Sequence, residues 1–147
     1  MRRTAMVCLG LGLLTLTACA NDDVSAPGFP GTIPHATWSD DRSWAARIDG
    51  DYQMLFVTTT GSSTCPHIID SAHYDVEARI LTVAAHQHKP SGGMCTMDIR
   101  PHTSFLHLQE PVAPDTDVTV ELEDFYTTVT LTPDTSVHES IGVPATP

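Results

Sequence analysis

From Trp44 onward the chain carries apolar and polar positions in short runs, most alternating with a period of two and all separated by turn residues. "WAARI" (44–48) and "YQMLFVTTT" (52–60) flank Asp49-Gly50, a pair that favours a tight hairpin turn. The second run is apolar on both faces: Tyr52, Met54 and Phe56 on one, Leu55 and Val57 on the other. That pattern suits a strand at the centre of a sheet. "SAHYDV" aligns Ala72, Tyr74 and Val76, and "ILTVAA" aligns Leu81, Val83 and Ala85. "CTMDI" sets Cys95, Met97 and Ile99 against Thr96 and Asp98, and "SFLHLQ" joins Leu106 with Leu108 opposite Phe105 and His107. "VTVEL" and "FYTTVTLT" continue the alternation through Val118, Val120 and Leu122, then Phe125, Thr127, Val129 and Leu131. No stretch sustains apolar positions at i, i+3, i+4 and i+7, the mark of an amphipathic helix. Seven or eight short strands at this spacing predict an all-β fold, a small antiparallel β-sandwich of immunoglobulin-like type over residues 36–133.

The pattern breaks down on either side. Residues 19–35 hold three prolines and two glycines with few large apolar groups, which predicts a flexible linker. The close, "PDTSVHESIGVPATP", has no period, and residues 134–147 are expected to form a loose tail. There are no internal repeats.

The start is different again. Arg2 and Arg3 lead into an apolar run from Ala5 to Leu16, far short of the roughly 20 residues that span a bilayer. A positive start, a short apolar core and small residues at the break describe a secretory signal peptide. It ends Leu16-Thr17-Ala18-Cys19, which resembles the lipobox of bacterial lipoproteins. In that family the cysteine thiol receives diacylglycerol and the chain is cut before it. The resemblance therefore implies that residues 1–18 are removed and Cys19 is the lipidated first residue. It places the chain at the cell membrane on the extracytoplasmic side, with the bilayer as its first partner. Two acyl chains give durable attachment where one gives only marginal binding.

Cysteine arithmetic follows. Cys8 leaves with the signal and Cys19 carries lipid, so Cys65 and Cys95 remain. In an oxidising compartment such a pair forms a disulfide. A closed loop of roughly 30 residues should contribute about 3–4 kcal/mol. No C-x-x-C redox motif is present. The blocks "TTTGSSTCP" (58–66) and "CTMDIRPHTSFLHL" (95–108) are also similar to a recurrent pattern in small exported lipoproteins of Gram-positive bacteria. That resemblance implies the same fold and bridge and brings no activity with it.

Charge narrows the partners. The formal net charge is −11, with Asp and Glu at 18 against 7 Lys and Arg. Loss of Arg2 and Arg3 takes it to −13. This balance excludes nucleic acid and opposes general attraction to anionic headgroups.

Histidine is the compositional oddity, at eight in 147 residues. In "HQHKPSGGMCTMDI" an extended His86-x-His88 points both imidazoles to one side, the arrangement that copper or zinc ligation needs. Further ligands would come from Met94, His102 and His107. The competing reading is a strand end entering a polar turn, with Met97 in the core beside Cys95 and Ile99. The case for catalysis is thinner. "TGSST" lacks the G-x-S-x-G elbow. The carboxylates Asp22, Asp23, Asp40, Asp41, Glu121, Glu123 and Asp124 fall in linker or turn positions, so no catalytic residue is assigned. Trp38 and Trp44 could form a binding platform or close the ends of the sandwich. The sequence thus leads to a non-enzymatic, lipid-anchored module that contacts an envelope protein or cell-wall component. Its alternative is a copper- or zinc-binding lipoprotein using His86 and His88.

Overall fold

The computed structural model describes residues 28–51 and 53–134. The expected signal peptide (1–18), Cys19, Tyr52 and the expected tail beyond Asp134 lie outside the described residues. Among the described residues nine strands occur: β1 (Phe29–Pro30), β2 (Thr37–Trp38), β3 (Trp44–Asp49), β4 (Met54–Gly61), β5 (His67–Asp75), β6 (Ile80–Gln87), β7 (Arg100–His107), β8 (Val118–Leu122) and β9 (Thr128–Leu131). No helix occurs among the described residues, so none there is long and apolar enough to cross a membrane.

The strands form two sheets, one ordered β1-β7-β4-β3-β2 and one ordered β5-β6-β8-β9. Their inner faces meet in one core. Ile48, Leu55 and Val57 come from the first sheet, and Leu81, Val83, Val118, Val120, Leu122 and Val129 from the second. The fold is thus the all-β sandwich that the alternation predicts. The first sheet is antiparallel throughout, with β4 in its middle as the two-faced apolar run requires. The second departs from a purely antiparallel arrangement, because β6 and β8 run parallel. The β7 strand and its flanking loops form the crossover that a parallel pair needs.

Two expectations are corrected. "CTMDI" is not a strand: β7 begins at Arg100, Cys95 is exposed, and Met97 and Ile99 are 102% and 80% exposed. A period-two pattern marks a half-buried strand only if a partner lies beside it, and this segment has no ladder partner. The described part of the expected linker is also not a free tether. Phe29 and Pro30 pair with Thr103 and His102 at one edge of the first sheet, and Thr37 and Trp38 pair with Ala46 and Ala45 at the other. Residues 31–36 therefore cross the outer face of that sheet. Four strand spacings are about 19 Å, within the roughly 23 Å that seven extended steps can reach. Along the way Thr103 Oγ1 donates to the Gly31 carbonyl at 2.8 Å, and Arg47 Nη1 donates to the Pro34 carbonyl at 3.4 Å. Thr58 and Thr103, linked Oγ1 to Oγ1 at 2.7 Å, are both fully buried on this outer face. The proline-rich segment is a strap that seals the sheet.

The sheet edges are protected as well. The first sheet ends in two-residue strands, which offer little to a pairing chain. On β5 the register shifts between Ile69 and Ser71, the Ile69 amide donates to Ser104 Oγ, and the Tyr74 amide donates to Glu110 Oε2. Beyond β9, Asp134 bridges to Asp49, and its amide donates to the Ile48 carbonyl at 2.9 Å.

Candidate functional site

Cys65 and Cys95 form the expected disulfide, with the Cα atoms 5.4 Å apart. Each cysteine stands in a segment that passes from one sheet to the other: 62–66 between β4 and β5, and 88–99 between β6 and β7. The bridge therefore ties two crossings together at one end of the sandwich. Cys65 is buried while Cys95 is exposed.

Polar side chains reinforce the tie. The Thr96 amide donates to Thr64 Oγ1 at 2.9 Å, and Thr96 Oγ1 lies 3.0 Å from Ser62 Oγ. Asp98 Oδ1 accepts from Thr96 Oγ1 and, at 3.1 Å, from the Ser63 amide. These donors, the Thr96 hydroxyl first, hold the Asp98 carboxyl down at about 2. At the other end of the loop the His88 amide donates to the Pro66 carbonyl at 2.8 Å. Gly93, at φ 69°, supplies the left-handed turn and donates to the Pro90 carbonyl.

The loop so fixed presents its large apolar groups outward. Met94 is 84% exposed, beside Met97 and Ile99. Three of the large exposed apolar side chains among the described residues thus fall within one short, cross-linked segment. At its base a cleft of about 510 Å³ opens between the strap and the loop, lined by Pro30, Gly31, Ser63, Asp98, Arg100 and His102. Arg100 Nε sits 3.8 Å from Asp98 Oδ2.

The histidines scatter. His86 Nδ1 lies 2.6 Å from Asp70 Oδ2. His73 Nδ1 is 3.6 Å from Glu110. The His67 ring packs edge-on against Phe125, with centroids 5.4 Å apart. His102 and His107 are five residues apart on β7 and so point to opposite faces, which separates two of the expected metal ligands. Among the described residues no group of three His, Cys, Asp or Glu is placed to hold a metal ion. Asp70, which the sequence pattern did not reveal, lies against His86, and among the described residues no third ligand joins them.

The tryptophans part company too. Trp44 is fully buried, packs against Phe125 at 6.4 Å, and its Nε1–H donates to Thr127 Oγ1 at 3.0 Å. Trp38 is 38% exposed on the outer side of β2. They form no shared platform. Between them Asp41 Oδ1 accepts from Ser39 Oγ, Ser43 Oγ and the Ser43 amide at 2.7, 2.8 and 3.0 Å. These bonds, the Ser43 amide first, lower the Asp41 carboxyl to about 2. This cluster organises a turn.

No family model, no curated protein and no solved structure matches the chain.

Proposed function

We propose that the protein is a lipid-anchored, extracytoplasmic, non-enzymatic interaction module whose contact surface is the loop 88–99. The single observation that supports this reading is a loop cross-linked at Cys95 that exposes Met94, Met97 and Ile99. Large apolar side chains held out into water invite a covering partner, and Met side chains adapt to varied partners. The anchor rests on Leu16-Thr17-Ala18-Cys19. The test is metabolic labelling with a clickable palmitate analogue in a bacterial host. The chain should take up label and fractionate with membranes, and Cys19→Ala should abolish both. Label that survives the substitution would contradict the anchor.

A second reading, copper or zinc binding at His86 and His88, is favoured by one contact. The Asp70 carboxylate beside His86 Nδ1 fixes the ring and leaves Nε2 free to coordinate. Calorimetric titration of Cu²⁺ and Zn²⁺ decides it. Sub-micromolar binding lost in His86→Ala/His88→Ala would establish it, and weak binding indifferent to the substitutions would remove it.

A further inference from the structure

We propose that the loop 88–99 is seated on the same lipid bilayer that holds Cys19, so that the domain touches the membrane at two points. The inference rests on the anchored reading above and names what covers the loop.

Position comes first. The described chain begins at Gly28, next to Thr103 and Ser104 of β7: a Cβ on Gly28 would lie 2.1 Å from the Thr103 carbonyl. Arg100, where the loop joins β7, is four residues down the same strand, about 13 Å away. Residues 19–27 can reach about 30 Å when extended. The tether is thus short enough to keep the domain at the surface and long enough to let the loop turn onto it.

Charge points the same way. The mature chain is strongly acidic, and most of its surface is repelled by anionic headgroups. The segment 88–100 is the exception, with Lys89 and Arg100 as two of the five cations left after the signal is removed. Its one acid, Asp98, is paired with Arg100 and held by Thr96 and Ser63. The segment that meets least repulsion from anionic headgroups is the one that carries Met94, Met97 and Ile99.

Area decides between a bilayer and a protein. Three side chains fall well short of the roughly 1,000 Å² of a stable protein interface. A chain already tethered needs no such area, because its effective concentration at the surface is of millimolar order. The disulfide keeps the three groups extended toward the lipid.

The test uses the mature lipidated chain in phosphatidylcholine–phosphatidylglycerol vesicles containing brominated lipid. Intact mass first reports diacylglycerol on Cys19. Tryptophan emission is then compared between Ile99→Trp, the unsubstituted chain with its native Trp38 and Trp44, and Thr128→Trp on β9, the edge strand of the second sheet. A side chain seated about 5–10 Å into the headgroup boundary meets the bromines, and the emission added at position 99 should fall about twofold or more. Emission added at 128 should not change. Met94→Glu/Met97→Glu in the Ile99→Trp chain should restore the emission. A lipidated chain quenched equally at 99 and 128 would overturn the seated loop alone, and a chain without lipid on Cys19 would overturn the anchor and the loop contact together.

Discussion

Trp44 and Trp38 show how two identical side chains six residues apart take different work. Trp44 faces inward on β3, fully buried, with its indole N–H satisfied by Thr127. Trp38 lies on a two-residue edge strand with one side open to water. In denaturant unfolding, Trp44→Ala should lose about 3–5 kcal/mol, the usual cost of deleting a large core aromatic. Trp38→Ala should lose about 1 kcal/mol or less. Equal losses would contradict the placement. Asp41 and Asp98 carry the acid response. Both carboxyls sit at about 2 in the folded chain, below the roughly 3.9 of an unfolded Asp. A depressed carboxyl stabilises the fold fully above its unfolded value, and that contribution disappears as pH falls through the folded value. The thermal midpoint should therefore drop between about pH 4 and pH 2, and Asp41→Asn/Asp98→Asn should flatten the drop. An unchanged slope would show that these hydrogen bonds do not persist in solution.

At the scale of elements, the strap and the braced loop are where the sequence was hardest to read. The strands β6, β8 and β9 announce themselves because burial of one face leaves a period of two, and β3 and β4 because short apolar runs flank the Asp49-Gly50 turn. The strap does not, since Phe29, Pro30 and Pro34 carry no period and their role depends on edges far away in the chain. "CTMDI" fails in the opposite sense: it alternates, yet its apolar positions face water. Alternation reports what could be buried, and the partner that would bury it belongs to the global fold. The disulfide was legible from cysteine number and the expected compartment. Its place between two crossings was not. Gly28 tests the strap. It sits at φ 115° against the β7 backbone, and Gly28→Ala forces a Cβ onto the Thr103 carbonyl. Hydrogen exchange should then speed up at the Gly31 amide, which donates to the Pro101 carbonyl at 2.9 Å. Protection equal to that of the unsubstituted chain would contradict the strap. Cys65→Ala/Cys95→Ala should cost about 3–4 kcal/mol and lower the thermal midpoint by more than ~10 °C. A loss near zero would mean that the serine and threonine contacts hold the loop without the bridge.

For the molecule as a whole, the two sheets close one core, the strap and Asp134 cover the first sheet, and side chains cap the β5 edge. Met94, Met97 and Ile99 remain exposed in the crossing segment that the disulfide ties down. On the reading proposed above, an anchor at Cys19 and the loop together hold the body at a surface, with a small contact patch as the working part. The candidate site was only half legible. Sequence marked Cys65, Cys95 and the neighbourhood of Met94, but assigned Met97 and Ile99 to the core. The most direct measurement is photo-crosslinking in living cells, from a diazirine amino acid placed at position 97 and, as control, at position 128. The account predicts abundant adducts with membrane components at 97 and few at 128. Equal and sparse adducts at both positions would contradict it.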